Sequence, residues 1–115
     1  MSIVGTKVIR KEDPNLLTGR GQYVDDIQLT GMTHMAFVRS TEAHALIKGI
    51  DVSAALECEG VIGAWTAADL ELPPLPEVPG LERPTLATDK VRFVGEAVAV
   101  IVAESKYAAA DGAEL

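Results

Sequence analysis

The sequence predicts an α+β domain in which a mixed sheet carries short flanking helices. Ala97–Ala103 is an unbroken apolar run rich in β-branched residues, as expected for a central strand that is buried on both faces. Shorter strand-like runs alternate with helical stretches before it, and these helices are too short for a doubly wound sheet. The 115 residues suffice for one core. Only 4% of them are aromatic, so we expect that core to be aliphatic.

Composition and charge exclude several classes of protein. The net charge of −7 argues against nonspecific binding to a phosphate backbone, which needs clustered Lys and Arg. The lone cysteine, Cys58, cannot form an internal disulfide and suits a reducing compartment. The sequence shows no signal peptide, and its longest apolar run is shorter than the ~20 residues that span a bilayer. We therefore expect a soluble, cytoplasmic protein without nucleic-acid partners.

The first 24 residues are predicted to form an extended arm, and 25–115 the domain itself. The arm lacks sustained periodicity, although Ile3–Ile9 is compatible with a short edge strand. Pro14 disfavours a helix at Asp13. Such an arm is expected to lie against another domain.

Glycines interrupt the arm near its end. Gly19-Arg20-Gly21 has the first two glycines of a dinucleotide-binding loop, but Val24 stands where the third is needed. No clear strand precedes it and no clear helix follows it. We interpret it as a plain turn.

Three strands are predicted between the arm and residue 70. Met32–Arg39 follows a Thr-Gly turn, and Ala45–Ile50 follows a polar corner. Val61–Thr66 is the third largely apolar run of this kind.

Two helical segments are predicted between and after these strands. Asp51 or Ser53 is suited to cap a helix over Ala54–Glu59, which Gly60 ends. Ala67–Leu70 is predicted to be a helical turn.

Glu71–Pro84 is predicted to be a stiff surface loop. It contains five of the six prolines of the chain, which exclude a central strand or a helix interior. Pro73-Pro-Leu-Pro76 has the form of a PxxP recognition segment, but no basic anchor lies nearby. A rigid connector is therefore the favoured interpretation.

The end of the chain is predicted to contain the central strand and one helix. Val91–Val94 and Ala97–Ala103 are expected to form a bent or hairpin-like pair around Gly95. Ser105 is a suitable N-cap for a helix that continues through Tyr107 towards Leu115.

The acidic and histidine residues do not form a recognisable catalytic or metal-binding pattern. Asp25 and Asp26 are adjacent, so on a strand they face opposite sides and cannot act as an acid and base pair. A solvated turn fits them better. His34 and His44 have no Cys or His neighbours at zinc-ligand spacing.

The candidate nucleophiles also lack their usual setting. Cys58 lies between Glu57 and Glu59, which disfavour a thiolate. Ser40 and Ser53 lack the pattern of a nucleophile elbow. The sequence thus predicts no catalytic, cofactor-binding or metal site in this chain.

Five collinear blocks carry a resemblance to a known family. Thr88–Glu96, followed by an apolar strand and an Ala-rich helix, resembles the N-terminal region of the large subunit of molybdenum hydroxylases, the xanthine dehydrogenase, aldehyde oxidase and aerobic carbon monoxide dehydrogenase group. Departures are mild: Thr41-Glu42 replaces a common Pro-His, and Ala97 a common Pro. The other matching blocks are Arg10–Ile27, Met35–Ser40 with Ala43–Ala45, Ala54–Leu56 with Gly60-Val61, and Thr66–Leu70.

The resemblance implies an α/β hammerhead fold and a structural role. The complete subunit in that family binds a molybdopterin cofactor, oxidises its substrate with water as oxygen source and passes electrons to iron–sulfur and flavin partners. Its catalytic glutamate and cofactor contacts lie beyond Leu115, so Arg20, Gly21 and Tyr23 are candidates for inter-domain packing only. The bacterial three-subunit, carbon monoxide dehydrogenase-like type is the expected subgroup. An independent protein-binding module with the same fold is the alternative.

The resemblance also implies that the domain is truncated. In the family, the helix that begins near Ser105 leads to a further strand of the same domain. Without that strand, one sheet edge is expected to stay open and to cause self-association of the isolated chain.

Overall fold

The computed structural model describes residues 4–5, 7–70 and 84–115. They belong to two compact units, Met1–Gly31 and Met32–Leu115. Apart from Pro84, the predicted proline-rich loop with its PxxP segment lies outside the described residues. Among the described residues, no helix is both long and apolar enough to cross a bilayer.

The first unit contains a short helix where the sequence predicted none. Helix α1 spans Asp13–Leu17, with Pro14 in its first turn. The expectation that Pro14 disfavours a helix at Asp13 was wrong, because first-turn N–H groups have no partner within the helix and a proline loses no hydrogen bond there. A 3-10 turn follows at Val24–Asp26. The described residues of 3–9 form no strand.

The second unit is a small α+β domain, as the sequence predicted. Its core is aliphatic, and its largest fully buried side chain in the described part of the chain is Ile101. The elements in chain order are β1 (His34–Arg39), β2 (Ala45–Leu46), α2 (Ser53–Glu57), β3 (Val61–Thr66), β4 (Lys90–Val91), β5 (Ala97–Ala103) and α3 (Lys106–Glu114).

Strand β5 is the centre of a three-stranded sheet with the order β1-β5-β3. This position confirms the prediction from its apolar run, since both faces of a central strand can be covered. Both neighbours pair with β5 in antiparallel orientation. The expected mixture of parallel and antiparallel pairs is therefore absent from the described strands. The strands β1 and β3 run in the same direction, but β5 separates them, so they form no parallel ladder.

Strand β4 was expected to pair with β5, but it does not. It forms a two-residue antiparallel ribbon with β2, in which Ala45 pairs with Val91. The hairpin prediction was wrong because the chain after Val91 enters a tight turn, in which Gly95 has a φ of +89°. The predicted strand Ala45–Ile50 is correspondingly reduced to β2.

The two helices of the second unit begin in different ways. Ser105 is the N-cap of α3, as predicted, and its hydroxyl accepts a hydrogen bond from the Ala108 N–H at 3.1 Å. Helix α2 has Val52 at its N-cap position, not Asp51 or Ser53. Asp51 Oδ1 instead accepts a hydrogen bond, at 2.9 Å, from the backbone N–H of Ser53, which is the first residue of the helix.

The two faces of the sheet differ in character. Alternation along β5 places Ala99, Ile101 and Ala103 on one face, where α3 packs closely. A Cβ built on Gly112 of α3 would lie 2.9 Å from Val61 Cγ2 and 3.1 Å from Ile101 Cγ2, so only glycine fits there without a shift. The opposite face, called the open face below, consists of Met35, Phe37, Trp65, Val100 and Val102.

Candidate functional site

The strongest candidate site is a cleft of about 190 Å³ where β1 ends and β5 begins. Two backbone hydrogen bonds join these ends. The Gly95 N–H donates to the Ser40 carbonyl at 2.8 Å, and the Ser40 N–H donates to the Glu96 carbonyl at 2.9 Å. Phe37, Arg39 and Phe93 contribute the large side chains of the cleft wall.

Glu96 is a buried carboxylate beside this cleft, and it is fully engaged. Its side chain is 5% exposed and accepts hydrogen bonds from the Arg92 backbone N–H and, at 3.2 Å, from Arg92 Nη1. Arg92 Nη1 also donates to the Lys90 carbonyl at 3.2 Å. Since the carboxylate is held by a guanidinium and a backbone donor, it stabilises the turn and is not free to act as a general base.

Arg39 gives the cleft a cationic edge. Its Nη1 donates to the Gly95 carbonyl at 2.9 Å, and its guanidinium lies 5.5 Å from the centre of the Phe37 ring. This distance is within the range of a cation–π contact. A cleft with a guanidinium and exposed aromatic rings is suited to recognition of a carboxylate-bearing apolar group.

Two exposed carboxylates, those of Asp51 and Asp69, have pKa values below the ordinary 3.8. The hydroxyl and N–H of Thr66 donate to Asp69 Oδ2 at 2.7 and 2.8 Å and lower the pKa of Asp69. The hydroxyl and N–H of Ser53 lower the pKa of Asp51 in the same way. A lowered pKa in the folded state means that each contact stabilises the fold above the ordinary pKa. That contribution is lost as the pH falls through the lowered value.

Replacing Thr66 with valine is expected to raise the pKa of Asp69 part of the way back to its ordinary value. The variant loses the hydroxyl donor, whereas the backbone N–H remains. An NMR titration of the side-chain carboxyl carbons measures the change. The pKa of Asp51, measured in the same spectra, is the control and should not change. The substitution Ser53→Ala should change the pKa of Asp51 alone. An unchanged Asp69 titration in Thr66→Val would contradict the assignment.

The structure does not bring the other candidate residues of the sequence together. His34 lies on β1, exposed His44 precedes β2, and Cys58 follows α2. Within the described residues, no group of three or more His, Cys, Asp and Glu side chains is placed to hold a metal ion.

The candidates from the arm belong to the first unit. Arg20, Gly21 and Tyr23 line a polar depression of about 290 Å³ there. The turn predicted for Asp25 and Asp26 is present as the 3-10 turn, and Asp26 Oδ2 accepts from the Tyr23 N–H at 2.9 Å. The packing role predicted for Arg20, Gly21 and Tyr23 stays a prediction.

The Arg92 and Glu96 pair was not among the residues predicted from the sequence. The signal was present, because a cation and an anion four residues apart around a glycine can meet in a tight turn. Arg39 could not be found in this way, because its partner Gly95 is far away in the sequence and only the β1–β5 pairing brings them together.

Comparison with known proteins gives consistent matches to long oxidoreductase chains. The family model described as aldehyde oxidase and xanthine dehydrogenase, a/b hammerhead domain, matches residues 18–115. The nicotine 6-hydroxylase large subunit of Paenarthrobacter nicotinovorans is 48% identical over 99% of this chain, which corresponds to 15% of the relative.

Solved structures agree with the sequence comparison. Quinoline 2-oxidoreductase from Pseudomonas putida 86 has a TM-score of 0.82 and 47% identity, covering 96% of this chain and 15% of that one. Carbon monoxide dehydrogenase from Oligotropha carboxidovorans has a TM-score of 0.81 and 46% identity, covering 96% of this chain and 14% of that one. The chain thus spans about one seventh of the length of these two proteins. It belongs to the aldehyde oxidase and xanthine dehydrogenase family, in which it corresponds to the a/b hammerhead domain.

Proposed function

We propose that the chain acts as a structural domain of a molybdopterin-dependent oxidoreductase large subunit of the carbon monoxide dehydrogenase and xanthine dehydrogenase type. One observation carries this proposal: the match covers 99% of this chain at 48% identity but only 15% of the relative. The chain therefore matches one domain of a much larger protein. An independent binding module is not favoured, because the relatives named above are all oxidoreductases.

The proposal assigns the chemistry to other parts of the subunit. This chain contributes no catalytic, cofactor-binding or metal-binding residue, and the molybdopterin cofactor binds outside it. Iron–sulfur and flavin subunits in the cytoplasm accept the electrons. The arm of residues 1–24 packs on a neighbouring domain through Arg20, Gly21 and Tyr23, and the hammerhead domain spans 25–115.

The isolated chain is also proposed to self-associate. In the described part of the chain, β1 and β3 each pair only with β5, so each has a free edge that can pair with another chain.

A domain replacement tests the proposal. The matching segment of the nicotine 6-hydroxylase large subunit is replaced by this chain and expressed with the other subunits of that enzyme. We expect the chimera to assemble, retain molybdenum and hydroxylate nicotine, because the replaced domain carries none of the chemistry. A chimera that folds but lacks molybdenum or activity would contradict the proposal.

The isolated chain is the matched control for that experiment. It is expected to contain no stoichiometric molybdenum, iron or flavin and to show no dehydrogenase activity, and sedimentation of the same sample measures self-association. Stoichiometric metal that is lost on substitution of His34 or His44 would refute the absence of a metal site.

A further inference from the structure

The open face has exposed apolar side chains on β1, although Val100 in its middle is only 7% exposed. Met35 is 60% exposed and Phe37 37% exposed, although both lie on the strand beside the most buried one. The register aligns Phe37, Val100 and Trp65 in one row across the three strands, and Met35 lies beside Val102 in the next. Two large apolar side chains exposed side by side on one strand, next to further apolar residues, are typical of an interaction site.

Helices α2 and α3 do not cover this surface. Helix α3 packs on the opposite side, since its Gly112 lies against Val61 and Ile101. Helix α2 is on that side as well, because the Ala55 carbonyl oxygen lies 3.9 Å from a Cβ built on Gly112. The open face therefore has a different partner from the helices of its own domain.

We propose that the open face is the docking surface for another segment of the same large subunit, and that this segment is apolar and carries a carboxylate which pairs with Arg39. The inference rests on the proposed function. Because the matched region is only 14–15% of the length of the relatives, most of such a subunit lies outside these residues and is available to cover the face. Contacts between domains of one chain commonly combine apolar and polar groups in this way.

The positive charge of Arg39 supports the presence of a carboxylate in the docking segment. Arg39 lies at the rim of the open face, on the same side of β1 as Met35 and Phe37. A guanidinium has five N–H donors, and the Gly95 carbonyl accepts from Nη1 of Arg39. The nearby Glu96 carboxylate is already bound to Arg92. A carboxylate in the docking segment would use the remaining donors.

A second copy of this chain fits the face less well. In a symmetric dimer both copies present the same patch. The five residues of the open face carry no carboxylate, so this face of a second copy offers Arg39 no anionic partner of its own.

The domain-replacement chimera also tests this inference. We expect the double substitution Met35→Ser and Phe37→Ser to reduce assembled, active enzyme about tenfold or more, as loss of anchoring side chains at an interface does. Leu56→Ser with Tyr107→Ser is the matched control, because these two apolar residues are 51% and 82% exposed and lie on the helices. The control is expected to assemble like the parent chimera. Normal assembly of the open-face variant would overturn the inference.

Two substitutions of Arg39 in the same chimera test the proposed pairing with a carboxylate. Arg39→Glu is expected to impair assembly more than Arg39→Lys, which keeps the positive charge. Equal behaviour of the two variants would overturn the assigned carboxylate.

The accessibility of position 35 to a thiol reagent tests the inference without a substitution that is meant to impair assembly. A cysteine is placed by Met35→Cys in a Cys58→Ser background, and its reaction with a maleimide is followed by mass spectrometry of the peptide that contains it, so that cysteines of other domains and subunits do not contribute. It is expected to react at least about tenfold more slowly in the chimera than in the isolated chain, with Tyr107→Cys as the reference for reagent access. Equal rates in both proteins would overturn the inference, and so would protection in the isolated chain that rises with its concentration, which indicates a second copy.

The two proposals fail in different ways. If the unsubstituted chimera does not assemble, the proposed function is wrong. If it assembles and the open-face variant assembles equally well, only the docking surface is wrong.

Discussion

Replacing Glu96 with alanine is expected to lower the free energy of unfolding by about 2 to 4 kcal/mol, which corresponds to a fall in Tm of roughly 10 to 25 °C. The substitution removes both oxygens that accept from Arg92, so the Arg92 backbone N–H loses its acceptor and the guanidinium keeps only the Lys90 carbonyl and the more distant Asp89 carboxylate. Glu96 is 5% exposed and Arg92 29% exposed, so water replaces the lost contacts only in part. The expected cost is below that of a fully buried ion pair because Arg92 still reaches solvent.

Thermal and urea unfolding measure this effect, with two variants for comparison. Asp89 forms a longer contact with the same arginine, 3.7 Å from Nη2, and is 66% exposed, so Asp89→Ala should cost less than about 1 kcal/mol. Glu96→Gln keeps a carbonyl acceptor for the Arg92 N–H and should fall between the two. If Glu96→Ala and Asp89→Ala cost the same, the buried pair does not stabilise the turn.

Replacing Ile101 with alanine is expected to destabilise the domain by about 2 to 5 kcal/mol. Ile101 is 1% exposed at the centre of β5 and packs against Gly112 of α3, which has no side chain to fill the space. The result is a cavity that the close contact between sheet and helix cannot easily remove. Equilibrium unfolding in urea measures the loss. Ile62→Ala, at a position that is 54% exposed, is the control and should cost less than about 1 kcal/mol.

A second substitution distinguishes a cavity from a general weakening of the sheet. Gly112→Ala alone places a methyl group against Val61 and Ile101 and should destabilise the domain. In the Ile101→Ala background part of that contact is absent, so the double variant should be more stable than the sum of the single effects predicts. Strict additivity would show that Ile101 and Gly112 do not share one packing site.

Local patterns determined much of this fold. The apolar run of β5 and the shorter runs of β1 and β3 indicate strands directly, because the sequence pattern reflects which faces are buried. Ser105 indicates the start of α3, because an N-cap needs only a hydroxyl and a backbone N–H three residues later. The collinear motifs indicated the family, which the match over residues 18–115 confirms.

Only the tertiary structure decided how these elements combine. Strand β4 pairs with β2 and not with β5, because the Arg92 and Glu96 turn redirects the chain. Pro14 lies inside a helix, since its position in the first turn matters more than its residue type. The cleft beside Arg39 and the open face depend on the register of β1, β5 and β3. Local sequence reports which residues favour burial, whereas the partner that buries them is set by contacts between distant parts of the chain.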